Sequence, residues 1–213
     1  DDNSGVIDLD QTTVAGTVAL NTNGSGNATF DNGTSNLDLA ASTVGGDLAV
    51  TSGNGITDSG VITVAGTSLF TSDVAGKVIT LDSTNAMTGA VSISHTGAAD
   101  VAIDNGTTAL NLGMISVGQN FSATSGGVIT DSDVITVAGT ATFVTDVNDI
   151  DIVLDSNNAI AGALTFTTQT GGTNGADITF DNGTTAISLA GFTTRGNLTL
   201  QTDAAIALTG HTV

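Results

Sequence analysis

Hydrophobic and polar positions alternate along this chain in short bursts. Val137, Gly139, Ala141 and Phe143 form one row, and Ala138, Thr140 and Thr142 form the other. A period of two places successive residues on opposite faces of a strand. The same apolar-x-Gly-x-apolar-x-apolar pattern begins at Val14, Val44, Val64, Met87, Ile160 and Thr194. At Val117 it recurs with Gln119 in the glycine place. Shorter alternating runs lie between these copies. They include Ile79/Leu81, Val101/Ile103 and Leu110/Leu112, with counterparts Ile152/Leu154, Ile178/Phe180 and Ile187/Leu189. Asp-Asn-Gly, Asp-Ser-Asn and Ser-Gly-Gly clusters separate the runs and read as turns.

The pattern is periodic on a longer scale. Ile56 to Thr67 recurs as Ile129 to Thr140 with one change, Gly60 to Asp133, so the offset is 73. Asp31-Asn32-Gly33-Thr34 returns at Asp104 with that same offset, and at Asp181 with an offset of 77. Four extra residues therefore enter the third unit near Thr168 to Ala176. Three units follow: 1–72, 73–145 and 146–213. The motif glycines at 16, 46, 66 and 89 are separated by steps of 30, 20 and 23. A step that holds a few short strands is one coil of a β-solenoid. The sequence thus predicts an all-β parallel β-helix, one continuous solenoid over 1–213, with about three coils per 73-residue repeat. Nine coils at the spacing of paired strands would make a rod on the order of 40 Å long. Val91, Ile93, Phe143, Leu164, Phe166, Leu198 and Leu200 are expected inside, with the motif glycines in the same inward row.

Composition narrows the picture. All 21 acidic residues are Asp, there is no Glu, and Pro, Cys, Trp and Tyr are absent. Thr reaches 38 and Gly 28, and helix-favouring charged residues are scarce. This argues for strands over helices. A chain without Pro suits uninterrupted stacking, because Pro would remove a ladder hydrogen bond. The net charge is −19, with Lys77 and Arg195 the only cations besides two histidines. That excludes a basic footprint for nucleic acid or anionic lipid. No apolar run approaches the length of a membrane span, so direct membrane insertion is not expected. Without Cys there are no disulfides or thiolate metal sites.

One run carries a resemblance. Ser42-Thr43-Val44-Gly45-Gly46-Asp47-Leu48-Ala49-Val50-Thr51-Ser52-Gly53 continues through Gly55-Ile56-Thr57-Asp58-Ser59-Gly60 to Val64-Ala65-Gly66-Thr67. Gly127-Val128-Ile129-Thr130-Asp131-Ser132 repeats the signature. These residues resemble the giant repetitive bacterial exoproteins of the filamentous-haemagglutinin-like adhesins. The resemblance implies a right-handed parallel β-helix, export to the extracellular space or cell surface, and a role in adhesion, aggregation or matrix. It also implies partners among host or neighbouring-cell glycans and proteins. The period of 73 differs from the shorter repeats of that family's best-known member.

Candidate chemistry is sparse. His95 and His211 lack a partnered His or Cys constellation, so neither reads as catalytic or metal-binding. A polysaccharide-active solenoid enzyme would need clustered carboxylates. Asp31, Asp104 and Asp181 repeat at turns about three coils apart, roughly 14 Å, which is too far for a glycosidase pair. Calcium is the sharper candidate. Asp31, Asp104 and Asp181 in their turns, and Asp177 after the Gly171-Gly172-Thr173-Asn174-Gly175 run, could offer oxygen ligands. The competing reading is that Asp and Asn cap turns through local backbone N–H groups. Asn-x-Ser/Thr triplets at Asn23, Asn27, Asn32, Asn105, Asn120, Asn182 and Asn197 are expected by chance in so Asn- and Thr-rich a chain.

The expected function is a structural or adhesive shaft of a bacterial surface fibre or matrix, with no catalysis. The alternatives are a head-to-tail filament subunit and a solenoid lectin or polysaccharide enzyme. Asp1 aligns with Asp73 and Asp146, and Val213 with Thr136. The ends are therefore expected to stack on further coils of the same chain or of identical chains.

Overall fold

The structure, a computed structural model, describes residues 5–208. Every strand in it pairs in parallel with strands of the coil before or after it. Two main ladders of ten rungs result. The first holds Ile7–Leu9, Ala28–Asp31, Leu48–Ser52, Ser68–Ser72, Ala90–His95, Leu110–Val117, Ile129–Asp131, Ile152–Leu154, Ile178–Asp181 and Leu198–Gln201. The second holds Thr17–Val18, Leu37–Leu39, Ile56–Asp58, Ile79–Leu81, Val101–Asp104, Phe121–Ser125, Ala141–Asn148, Ala163–Gln169, Ile187–Thr193 and Ile206–Leu208. The chain visits them alternately, so the described residues form ten coils.

A third, shorter strand marks the corners. Ser42–Val44, Ile62–Val64 and Ala86–Met87 make a three-stranded ladder where the chain leaves the second main ladder for the first. In the next unit the end of Leu110–Val117 pairs with Ile135–Val137, which pairs with Ala159–Ile160. This second corner ladder lies where the chain leaves the first main ladder for the second.

That exchange refines the coil count. From Ala28–Asp31 to Ala90–His95 the unit contains seven main-ladder strands. Two strands make a coil, so one unit occupies three and a half coils rather than about three. The equivalent of Ala28–Asp31 in the next unit, Val101–Asp104, therefore falls on the opposite ladder. The third copy, Ile178–Asp181, returns to the first ladder. The glycine steps of 20 and 23 are one coil each, and the step of 30 is one and a half. Successive units are thus related by half a turn and a rise of about 17 Å, at the usual spacing of paired strands.

The space between the ladders is filled by the inward rows. Val91, Ile93, Phe143, Leu164 and Phe166 are fully buried, and Leu198 and Leu200 in the last first-ladder strand pack half-buried against the core. Phe143 stacks on Phe166 with ring centroids 5.6 Å apart. Phe121 and Phe180 extend this stack, at 5.9 Å from Phe143 and 5.4 Å from Phe166. The motif glycines are not inward. They sit outside the buried rows, and Gly46, Gly66, Gly89, Gly139, Gly162 and Gly196 lie tight against the backbone of the coil before. A Cβ on Gly89 would lie 2.2 Å from the Gly66 carbonyl oxygen, and one on Gly162 would lie 2.0 Å from that of Gly139. The glycine is needed for coil-to-coil approach, not for filling the core.

Phe143→Ala is expected to cost about 3–5 kcal/mol through the cavity it leaves. The outward neighbour Thr142→Ala should stay within about 0.5 kcal/mol. Urea melts of the two variants check this, and equal losses would contradict the assignment of faces.

Candidate functional site

The sequence candidates fall into two kinds of position. Asp31, Asp104 and Asp181 each end a strand, and each accepts a hydrogen bond at Oδ1 from the glycine N–H two residues on. The distances are 2.7 Å to Gly33, 2.8 Å to Gly106 and 2.8 Å to Gly183. Those glycines have φ of +55°, +55° and +52°, the left-handed region that an L side chain resists. The turns are therefore closed by local capping. Asp31 and Asp104 lie on opposite ladders, three and a half coils apart. Asp181 accepts a second bond, 2.8 Å from Gln201 Nε2.

Asp177 belongs to a surface column instead. Its Oδ1 accepts the Asn197 N–H at 2.7 Å, and its own N–H donates to Asp151 Oδ1 at 2.8 Å. The equivalent columns are Asn27, Asp47, Thr67 and Asp100, Asn120, Thr140. In them each Asp or Asn side chain accepts the backbone N–H of the next coil. Asp177 and Asp181 stand at the two ends of one strand, so the four candidates do not converge. Among the described residues no group of three or more His, Cys, Asp or Glu side chains could hold a metal ion.

The residue between the capping Asp and the glycine does more. Asn32, Asn105 and Asn182 are fully buried. Asn105 Oδ1 accepts the Met87 N–H at 2.9 Å, and its Nδ2 donates to the carbonyls of Met87 at 3.0 Å and Ala109 at 2.9 Å. Asn182 treats Ile160 and Ala186 in the same way, and Asn32 treats Val14 and Asn36. Met87 and Ile160 are the last residues of their corner ladders. The asparagine amide, donor and acceptor on one short arm, supplies the rung that the next coil lacks.

A second polar pair occurs twice, with its asparagine buried each time and its aspartate buried at Asp58 and half-buried at Asp131. Asn85 Oδ1 accepts the Ile62 N–H at 2.7 Å, and Asn85 Nδ2 donates to Asp58 Oδ2 at 2.7 Å. Asp58 Oδ1 accepts the Asp82 N–H at 2.9 Å. Asn158 and Asp131 repeat the arrangement with Ile135 and Asp155. Burial pushes the carboxyls of Asp58 and Asp131 above the usual aspartate value, against the hydrogen bonds they accept. Sequence reading passed over both pairs. The available signal was that Asp58 and Asn85 recur as Asp131 and Asn158 on either side of the repeated Leu-Asp-Ser turn.

The insertion near Thr168 to Ala176 is a loop held by its neighbours. Asp149 accepts the N–H groups of Gly175 at 2.9 Å and Thr173 at 3.0 Å, and these bonds hold its carboxyl below the usual value. Arg195 donates to the carbonyls of Thr170 and Gly172. His95 is buried with Nε2 2.6 Å from the Lys77 carbonyl, which makes that nitrogen the donor. His211 lies outside the described residues. A shallow groove of 560 Å³ runs across the second corner ladder, past His95, Gly97, Ser116, Thr136, Ala138 and Ala161. Among the described residues no carboxylate lines it.

Comparison with known families matches residues 25–94 and 98–167 to repeats of unknown function (DUF5649). The chain belongs to this family. The two matched stretches begin at positions 25 and 98, the same offset as the unit read from the sequence and as three and a half coils of the fold. In this chain each step from one DUF5649 repeat to the next therefore covers a half-integral number of coils. No curated protein and no solved structure matches the chain. The family match names repeats, not a filamentous-haemagglutinin-like adhesin.

Asn105→Ala should strand the Met87 N–H and two carbonyls, at roughly 1–3 kcal/mol for each buried group left unpaired. Asp104→Ala should cost only about 1 kcal/mol, the worth of a cap. Urea midpoints decide it, and a larger loss at Asp104 would point to a cation held there.

Carboxyl NMR titration should show Asp58 and Asp131 protonating above the ordinary aspartate value. Asp47, whose carboxylate accepts the N–H and hydroxyl of Thr67, and Asp149 should protonate below it. The linkage signs are opposite. The contribution of Asp58 and Asp131 is full below the unfolded aspartate pKa and is lost as pH rises through their raised values. That of Asp47 and Asp149 is full above the unfolded pKa and is lost as pH falls through their lowered values.

Proposed function

We propose that this chain is a section of a structural shaft in an extracellular bacterial surface fibre or matrix, and that it performs no catalysis. The observation that carries the reading is the use made of its polar side chains. The buried asparagines and the surface Asp/Asn columns join one coil to the next, and the capping aspartates close the turns between strands. The resemblance to repetitive exoproteins supports the extracellular setting. A net charge of −19 supports solubility and mutual repulsion between rods until cations screen them. Adhesive contact with glycans or proteins would then belong to other parts of the fibre.

Ile206 and Leu208 are 46 % and 43 % exposed, whereas their partners one coil inward, Ile187 and Leu189, are buried. At the other end Leu9 is 44 % exposed. A further coil, from the same chain or from an identical chain stacked head to tail, would bury these rows and pair the free strand edges.

Purified 213-residue chain is expected to associate end to end, or to show fast hydrogen exchange confined to its terminal coils. Leu208→Asp should reduce the association without lowering protection in the central coils. Sedimentation velocity with exchange mass spectrometry tests this. A monomer with fully protected terminal strands would overturn the shaft reading.

A further inference from the structure

Asparagine followed by glycine is a reactive dipeptide. The glycine nitrogen can attack the asparagine side-chain carbonyl with no side chain to hinder it. The sequence contains six: Asn23-Gly24, Asn32-Gly33, Asn54-Gly55, Asn105-Gly106, Asn174-Gly175 and Asn182-Gly183. The fold sorts them. Asn23 and Asn174 are exposed and Asn54 is half-buried, all in loops. Asn32, Asn105 and Asn182 are wholly buried in the Asp-Asn-Gly turns. In each of these turns the attacking nitrogen is engaged, because the glycine N–H donates to the preceding Asp at 2.7–2.8 Å. The amide is engaged too, paired across the corner to the main chain of Val14, Met87 or Ile160 in the coil before. Both reactants are thus tied to different partners.

We propose that Asn32, Asn105 and Asn182 are modification sites gated by folding. In an unfolded coil the glycine nitrogen bonds to the side-chain carbonyl carbon, the carbon–nitrogen bond of the amide breaks, and ammonia leaves. Water then opens the resulting succinimide at either ring carbonyl, giving aspartate or isoaspartate. The balance is one water gained and one ammonia lost, with no oxidant or further reactant. In the folded coil the reaction is blocked.

The product cannot take the place of the amide. A carboxylate at position 105 would set oxygen against the carbonyls of Met87 and Ala109, which now accept from Nδ2. It would also bury a charge with no cation to pair it. A chain that reacts at Asn105 or Asn182 before it folds loses a residue that ends a corner ladder. Each unit carries one such turn.

The test is peptide mapping by mass spectrometry of the full chain, held in native buffer and in urea at mildly alkaline pH until Asn54 has converted in both. Asn32, Asn105 and Asn182 should convert in urea. In buffer they should convert at least ~100-fold more slowly, because reaction there requires opening of core structure. Chains converted in urea, separated by their added negative charge, should refold with a lower urea midpoint or not at all. Asn105→Asp should reproduce that loss, and Asn54→Asp should not. Equal conversion of the three turns in buffer and in urea would overturn the proposal. So would an unchanged midpoint for chains converted at Asn105. Neither result bears on the shaft reading, which is tested at the ends of the stack.

Discussion

Each strand of this molecule must satisfy its backbone groups on the coil before it and the coil after it, at one fixed spacing of about 4.8 Å. The sequence features follow from that requirement. A residue lies over its counterpart in the next coil, so a column of side chains is a column of near neighbours. Like charges in register repel, and in two surface columns Asp is set beside Asn and Thr: Asn27, Asp47, Thr67 and Asp100, Asn120, Thr140. The third sets Asp151 beside Asp177, next to the loop that carries the insertion. The same spacing leaves no room for a Cβ at the tight corners, which is why glycine recurs there.

The corners are where the regularity has to be interrupted, and where buried polar groups collect. A three-stranded corner ladder cannot continue when the chain turns elsewhere in the next coil. Its last strand would face the interior with an open edge. Asn105 and Asn182 close those edges with a side-chain amide, and Asn85 and Asn158 link corner strands to the buried carboxylate of Asp58 and the half-buried one of Asp131. These networks are satisfied by partners on neighbouring coils, so their geometry depends on the stack being formed.

The fold was legible in the sequence because period-two alternation and recurrence at an offset of 73 are both direct prints of stacking. The inward rows through Ile93, Phe143 and Phe166 follow from alternation alone. The coil count was less legible. Strands such as Ala28–Asp31 and Leu37–Leu39 lack the glycine motif, so the one and a half coils between Gly16 and Gly46 read as one. The polar sites were half legible. Asp104 was visible as a turn cap, but Asn105 looked like part of the same turn. Its real partner, Met87, is distant in sequence and is brought close only by the coil. Asp58 stands in the inward row with Ile56, so alternation placed it inside, but its partners Asn85 and Asp82 come from the next coil and left no mark beside it.

The half-integral repeat also decides where the corners lie. One unit is lopsided: it carries its corner ladder on one side only. Stacked in the same orientation, such units would set every corner ladder, and every buried asparagine that closes one, along a single side. Here each unit faces away from the one before, so the ladder of Ser42–Val44, Ile62–Val64 and Ala86–Met87 lies opposite the ladder that ends at Ala159–Ile160. An even number of units divides its corners equally between the two sides.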